Sequence, residues 1–221
     1  MRRRRSARGL VTSESTGRDW VEIAATALLA LATVATAWSA YQANRWNGEQ
    51  AKAAARGNAA RIESTRASGV ANRQVQIDVA LFTQFIDAFA QDQTELADFY
   101  RKRFRPEFKP AFDAWVATRP RTNPDAPLTP FELPQYRLAA NAEAERLEVT
   151  ADGFAAEARR NIQRSSNYVL AVVLFASALF FAGISTKLSA HRARAAVVLL
   201  GCVLFVGTLI WVATSPISVS V

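Results

Sequence analysis

An uncharged apolar run near the start of the chain limits its folding more than any other feature. Residues 20–41 read WVEIAATALLALATVATAWSAY, and after Glu22 no charged side chain occurs before Arg45. A helix needs about 20 apolar residues to cross the hydrocarbon core of a bilayer. Two further apolar runs lie near the C-terminus, at 168–186 and 195–213. The sequence therefore predicts an integral membrane protein with three transmembrane helices.

The rest of the chain divides around these three runs. The predicted segments are a basic tail at 1–19, transmembrane helices at 20–41, 166–187 and 195–214, a polar middle region at 42–165, a basic loop at 188–194 and a short outer tail at 215–221. We predict an all-α fold in which the middle region forms a long antiparallel helical hairpin outside the bilayer. Its tip is the proline-rich stretch at 106–134.

The net charge of +8 is concentrated beside the apolar runs. Six arginines lie in residues 1–19, and the loop between the second and third runs carries Lys187, Arg192 and Arg194. Short segments rich in Lys and Arg stay on the cytoplasmic side of a membrane. We therefore expect a cytoplasmic N-terminus and a periplasmic or extracellular middle region. A charge placed this way indicates membrane orientation and argues against a nucleic-acid partner.

The first apolar run has a second interpretation, as the core of a cleaved signal peptide. The N-terminal arginines would then be its basic region, and residues 35–37 (Ala-Thr-Ala) its cleavage site. The run is longer than the apolar core of a usual signal peptide, and helix-forming sequence continues past Tyr41 without a break. We therefore predict that it is retained as a transmembrane helix.

Small and hydroxyl-bearing residues mark the first transmembrane helix. Ala32, Thr36 and Ala40 recur every four residues, a spacing that lets helices approach closely in lipid. A polar seam that would line the pore of an oligomer is predicted from Thr26, Thr33, Thr36 and Ser39. The alternative for these hydroxyls is a hydrogen bond to the backbone of their own helix.

The middle region carries two apolar stripes with heptad-like spacing. The first predicts bundle packing or oligomer contacts through Val75, Val79, Phe82, Ile86, Phe89 and Leu96. Gln93 interrupts this stripe, and the helix is expected to continue to about Arg105, just before Pro106. The second stripe, at 140–162, is rich in alanine, so that small residues would face large ones.

Seven of the eight prolines lie in the tip at 106–134. Within it, Phe108, Phe112 and Trp115 predict a short amphipathic helix, which is a candidate docking surface for a protein partner. A cluster of basic residues at 101–109 is interleaved with acids, a pattern typical of a solvated face.

The sequence contains no recognisable catalytic, cofactor or metal motif. Patterns for dinucleotide, nucleotide-phosphate, zinc-protease and serine-hydrolase sites are absent. The single cysteine, Cys202, and the single histidine, His191, offer neither a CxxC pair nor a His cluster. We therefore predict a non-enzymatic protein that needs no cofactor or metal.

The favoured interpretation is a homo-oligomeric structural or assembly protein that associates through the faces named above. Membrane lipid is its other expected partner. One alternative is a partner-docking or sensor protein that uses the proline-rich tip. Another is an oligomeric channel lined by the first transmembrane helix, for which a symmetric oligomer with a continuous central path would be the evidence.

Two segments resemble a group of uncharacterised bacterial three-span membrane proteins of unknown function. They are WSAYQANRW at 38–46 and YVLAVVLFASALFFAGIS at 168–185, on either side of a helical middle region. The resemblance implies a multi-pass protein of the bacterial inner membrane. It implies no activity, so no functional residue carries over. The tip of this chain is longer and richer in proline than is expected of that group.

Overall fold

The computed structural model describes residues 13–218, and in that part the chain forms helices and no strand. The elements in chain order are α1 (Ser13–Ala90), α2 (Thr94–Lys102), α3 (Lys109–Ala117), a 3-10 turn (Pro130–Glu132), α4 (Ala139–Ser185) and α5 (His191–Ala213). The predicted all-α class is confirmed for these residues. Most of the predicted basic tail, residues 1–12, and the end of the predicted outer tail, residues 219–221, lie outside them.

Three of the helices are long and apolar enough to cross a membrane, in agreement with the three apolar runs. They are α1 from Trp20 onward, α4 and α5. The chain divides into two compact units, and α1 and α4 contribute to both. The apolar unit comprises the residues up to Ala53 and those from Ala156 onward, and the polar unit comprises Ala54–Ala155.

The core of the apolar unit consists largely of small side chains. In α1 one set of buried positions recurs every seven residues, at Ala25, Ala32, Ser39, Trp46 and Ala53, and Leu28, Gln42 and Ala43 are buried beside it. α4 and α5 complete the core with Ala171, Phe175, Ala178, Ala182 and Phe205. Small residues let helix backbones approach closely, which is how helices associate in lipid.

Gly201 of α5 marks the tightest approach among the glycines of the apolar unit at positions 48–207. A Cβ at this position would lie 3.0 Å from Leu28 Cδ2 and 3.4 Å from the Ala178 carbonyl oxygen. Gly207, two turns later in the same helix, has nothing within 4 Å of its Cβ position. The two glycines therefore give a matched pair for testing how closely these helices pack.

In the polar unit α1 pairs with the start of α4. Ser64 Oγ donates a hydrogen bond to the Ala144 carbonyl oxygen at 2.9 Å. A Cβ on Gly57 would lie 3.4 Å from the Ala151 carbonyl oxygen. Contacts farther along α1 thus fall earlier in α4, so the two segments run antiparallel.

The buried face of α1 in the polar unit is rotated relative to the predicted stripe. Its buried positions are Gly57, Ser64, Ala71, Asp78, Phe82, Phe85 and Ala88. Among the predicted positions Phe82 is buried, Val75 and Ile86 are half-buried, and Val79, Phe89 and Leu96 are exposed. The difference arises because Asp78 lies in the core, and a carboxylate at a core position breaks the apolar pattern.

α1 ends at Ala90, about fifteen residues before the expected end near Arg105. The Gln93 amide donates to the Ala88 carbonyl at 2.9 Å, and the Asp92 amide donates to the Phe89 carbonyl at 3.2 Å. Asp92 has a left-handed backbone with φ of 57°. This is the usual termination of a helix by a Schellman motif, with aspartate in the place that glycine normally takes.

Candidate functional site

The tip of the polar unit is built around a cluster of aromatic side chains. Its buried aromatic members are Phe82, Phe85, Phe104, Phe108, Phe112 and Trp115. Phe108 lies at the centre, with ring centroids 4.9 Å from Phe104 and 5.1 Å from Phe131. Trp115 Nε1 donates a hydrogen bond to the Pro127 carbonyl oxygen at 2.8 Å. This bond holds the proline-rich segment that follows α3 against that helix.

The three residues predicted as a docking surface at the tip belong to this core. Phe108, Phe112 and Trp115 are 0%, 2% and 8% exposed. These low values show that the three side chains do not form an exposed surface. The proline-rich segment after α3 folds back and covers them. Phe112 and Trp115 nevertheless line one wall of a cleft that is open to solvent.

We call this feature the tip cleft. It has a volume of about 700 Å³ and lies between the end of α1, α2, α3 and the turn after α3. Its apolar lining includes Phe85, Ile86, Phe89, Phe112, Trp115 and Val116. Its charged lining residues are Asp98, Arg101, Arg119 and Arg121. A concave, mostly apolar site with a few polar groups is the usual form of a small-molecule site.

Cations outnumber anions around the tip cleft. Asp98 Oδ2 accepts from Lys102 Nζ at 2.7 Å, and its Oδ1 lies 3.6 Å from Arg101 Nε. The hydrogen bond from Lys102 lowers the pKa of Asp98, so this carboxylate is ionised and already paired at neutral pH. Among the residues that the structure describes, no carboxylate lies within 4.0 Å of the guanidinium group of Arg119 or Arg121.

The two unpaired arginines flank Pro120 in the turn after α3. The Arg121 guanidinium lies over the Phe89 ring, 5.3 Å from its centroid. Arg119 has a left-handed backbone with φ of 54°. Its amide donates to the Val116 carbonyl at 3.0 Å, and its own carbonyl accepts the Asn123 amide at 3.0 Å. Strained residues held by their surroundings are common at ligand sites.

A buried polar network lies elsewhere in the same unit. Asp78 is completely buried, and its Oδ2 accepts from Arg105 Nη1 at 2.9 Å and from the Tyr136 hydroxyl at 3.0 Å. Burial raises the pKa of Asp78, although these two hydrogen bonds oppose the effect. Arg105 also pairs with Glu107, whose Oε1 accepts the amide of Ala139, the first residue of α4, at 3.1 Å.

The same network changes the acidity of Tyr136. Burial raises the pKa of its hydroxyl above the ordinary value, and the hydrogen bond to Asp78 acts in the same direction. The Asp78 carboxylate thus joins α1 to both ends of the tip, and the Glu107 carboxylate joins the tip to the start of α4. In the part of the chain that the structure covers, no group of three His, Cys, Asp or Glu residues is placed to hold a metal ion.

The hydroxyls predicted to form a polar seam do not share one face of α1. Thr26 and Thr33 are exposed, Thr36 is half-buried and Ser39 is buried. Each of the three threonines donates to the carbonyl oxygen four residues earlier, at 2.7 to 2.9 Å. Their hydrogen bonds therefore follow the alternative given for them above.

Of the predicted small-residue face, only one member packs within a single chain. Ala32 is fully buried in the core of the apolar unit. Thr36 is half-buried and Ala40 is exposed. Oligomer contacts through Thr36 and Ala40 stay a prediction.

A polar cluster in the apolar unit has no counterpart in the sequence predictions. The Pro216 carbonyl oxygen accepts from Trp46 Nε1 and from the Tyr168 hydroxyl, both at 3.2 Å. Gln42 is fully buried, and its Oε1 accepts the Ser218 amide at 3.1 Å. Gln42 and Trp46 belong to the WSAYQANRW segment, so part of that segment binds the chain that follows α5.

The fold and the cleft together define a class: an all-helical protein with three candidate membrane-spanning helices and an arginine-rimmed apolar cleft. Comparison of the chain with protein-family models, curated proteins and solved structures finds no match. The functional proposal therefore depends on the geometry of the chain itself.

Proposed function

We propose that the protein is a membrane-anchored, non-enzymatic binding protein whose ligand occupies the tip cleft. Three crossings hold it in the bacterial inner membrane, and the polar unit stands in the periplasm as a helical hairpin. The observation that carries this proposal is the cleft of about 700 Å³, apolar inside and cationic at its rim. It corresponds to the partner-docking or sensor alternative given by the sequence, with an apolar cavity in place of an exposed helix.

An ion pair in the apolar unit supports the proposed topology. Arg194 Nη2 lies 3.7 Å from Glu22 Oε2, so the starts of the first and third apolar segments lie at the same end of that unit. Three successive crossings require this arrangement. Both starts also follow the basic segments at 1–19 and 188–194, which the positive-inside rule keeps in the cytoplasm.

The binding proposal is tested with the full-length protein in phosphatidylcholine nanodiscs. The probe is anilinonaphthalene sulfonate, an anionic amphiphilic dye whose fluorescence rises in apolar sites, with empty nanodiscs as background. Val116 lines the cleft and is 47% exposed, so Val116→Trp fills the cleft without disturbing a core. We expect this variant to weaken dye binding at least tenfold.

The matched control is Val149→Trp, at a position of α4 that is 74% exposed and does not line the cleft. It should bind the dye as the wild type does. Dye fluorescence with the wild type that does not exceed the empty nanodiscs would contradict the proposed function.

The homo-oligomeric assembly protein is the second candidate, and a line of exposed apolar side chains on α1 favours it. Ile62, Val70 and Ile77 are 55%, 38% and 51% exposed in the polar unit. They are spaced by eight and seven residues, about two helical turns, so they lie near one face. A stable oligomer by native mass spectrometry that Ile77→Lys converts to monomer would support this candidate.

The channel alternative lacks a comparable observation. Three of the four hydroxyls assigned to its pore already donate to their own helix backbone. A conductance measured in planar bilayers with the purified protein would restore it.

A further inference from the structure

We infer that the ligand of the tip cleft is a single-chain anionic amphiphile, a fatty-acid-type carboxylate. This inference rests on the proposed function and adds the chemical class of the ligand. The alkyl chain lies along the aromatic lining of the cleft, and the carboxylate meets the guanidinium groups of Arg119 and Arg121. Three properties of the cleft lead to this assignment: its wall, its charge and its size.

The wall offers a flat apolar surface that protein atoms leave partly uncovered. Phe85 and Phe89 stack with ring centroids 5.8 Å apart and planes 11° from parallel. Phe89 is 43% exposed, although it belongs to the most aromatic part of the chain. Covering such apolar surface stabilises a complex because it removes that surface from water. An alkyl chain laid against these rings and Trp115 would gain this energy with no polar partner to satisfy.

The charge of the cleft selects an anion. Asp98 is paired with Lys102 and Arg101, so the cations left without a carboxylate are those of Arg119 and Arg121. Guanidinium groups present a planar set of donors that matches the two oxygens of a carboxylate. Arg121 already lies over the Phe89 ring, which places its charge at the edge of the apolar wall.

The volume of the cleft matches a ligand with one alkyl chain. A water molecule takes up about 30 Å³ of the liquid, so a cleft of about 700 Å³ holds roughly 20 groups of that size. A long-chain fatty acid has about that number of non-hydrogen atoms. A phospholipid with two long chains has more than twice as many. The ligand that matches the cleft is therefore the free single-chain acid.

The test compares three amphiphiles with the same twelve-carbon chain: dodecanoate, dodecyltrimethylammonium and dodecanol. Each is titrated into the full-length protein in phosphatidylcholine nanodiscs, with displacement of the dye as the readout and empty nanodiscs subtracted. We expect dodecanoate to bind at least tenfold more tightly than either of the others. Its affinity should fall as salt rises, because the added ions screen the arginines.

Two variants locate the carboxylate. Arg119→Gln and Arg121→Gln should each weaken dodecanoate binding roughly tenfold, the usual effect of losing a charge-assisted hydrogen bond, and leave dodecanol unchanged. The matched control is Arg103→Gln, because Arg103 is an exposed arginine of the same tip whose guanidinium stacks on Phe99 and does not line the cleft.

A further pair of variants separates loss of the ligand from loss of the fold. Arg119→Gly and Asp92→Gly both relieve a left-handed backbone, so both should raise the unfolding temperature or leave it unchanged. Only Arg119→Gly should weaken dodecanoate. If both variants bind dodecanoate as the wild type does, Arg119 does not hold the head group and that part of the inference is wrong.

The outcomes distinguish this inference from the proposed function. Equal affinity for the three amphiphiles would overturn the anion assignment and leave a binding cleft. Tighter binding of a short-chain phosphatidylglycerol than of dodecanoate would overturn the single-chain assignment. No binding of the dye or of any amphiphile would overturn the proposed function itself.

Discussion

The core of the apolar unit is made mostly of small side chains, whereas the core of the polar unit at its tip is made of large rings. Ala32, Ala171 and Ala178 are fully buried in the first, and Phe108 and Phe112 are at most 2% exposed in the second. In water, burying large apolar groups is the main source of stability. In lipid that gain is absent, and helices associate through close contact of small residues. This contrast is expected for a chain whose three apolar segments lie in lipid and whose polar unit lies in water.

The surfaces of the two units differ in the opposite sense. The apolar unit exposes large aliphatic and aromatic side chains such as Val34, Phe180 and Leu199, which are 69%, 60% and 65% exposed. The surface of the polar unit carries ion pairs, such as those of Arg61 with Glu148 and Asp152. If the comparison is right, the tip should be most sensitive to the loss of a large side chain. The apolar unit should be most sensitive to the gain of one.

The largest effect is expected from Phe108→Ala. It removes the ring at the centre of the aromatic cluster, and truncation of a buried phenylalanine costs about 3–5 kcal/mol of unfolding free energy. Chemical unfolding of the full-length protein in nanodiscs, followed by near-ultraviolet circular dichroism, measures it. Leu128→Ala, at a position that is 86% exposed, is the control and should change the stability by less than about 0.5 kcal/mol. Equal losses for the two variants would remove the aromatic cluster as the source of stability.

Asp78→Ala should follow, with a loss of about 2–3 kcal/mol. It leaves Arg105 and Tyr136 without their shared acceptor in a partly buried site. The loss falls below the range for a fully buried ion pair because Arg105 keeps Glu107. Asp87→Ala, which removes an exposed carboxylate of the same helix, should cost less than about 1 kcal/mol in the same assay. A smaller loss for Asp78→Ala than for Asp87→Ala would show that the network does not stabilise the unit.

Gly201→Val tests the apolar unit by adding volume. Its Cβ would meet Leu28 and Ala178, so we expect overpacking to cost about 1–3 kcal/mol. Gly207→Val places the same side chain where nothing lies within 4 Å, and it should be nearly neutral. Thermal unfolding in nanodiscs compares the two. Two equally stable variants would mean that the alanine-rich core has room for a larger side chain. The contrast between the cores of the two units would then be weaker than proposed.

The smallest effect at neutral pH, about 1 kcal/mol, is expected for Tyr136→Phe, which loses the hydrogen bond to Asp78. The raised pKa of Tyr136 adds a pH dependence. The folded protein holds the phenol proton more tightly than the unfolded chain, whose value is near 10. This stabilisation is therefore complete below pH 10 and is lost as the pH rises through the folded-state pKa. The gap in stability between wild type and variant should narrow above pH 10, and a constant gap would contradict the assignment.

The helical class and the three apolar segments could be predicted because length and absence of charge are sufficient signals for them. The buried face of α1 could not be read from apolar residues alone, since Asp78 occupies one of its core positions. The spacing of Gly57, Ser64 and Ala71 by seven residues does point to position 78, and small residues are the signal that could have identified it.

The tip cleft could not be predicted from the sequence, for a different reason. Its formation depends on the end of α1 at Ala90. No glycine or proline between Gly69 and Pro106 indicates a helix break there. Asp92 takes the left-handed position, a role that aspartate fills far less often than glycine. The arginines at the rim are distant in sequence from Phe89, and only the fold of the tip brings Arg121 over that ring.

The network around Asp78 has a mechanical consequence. It joins α1 to Arg105 and Glu107 at the beginning of the tip, and to Tyr136 and the Ala139 amide at its end. A tip attached at both ends in this way cannot swivel on one helix independently of the other. Movement of the tip relative to α1 would break the hydrogen bonds of Asp78, and movement relative to α4 would break the bond from the Ala139 amide to Glu107.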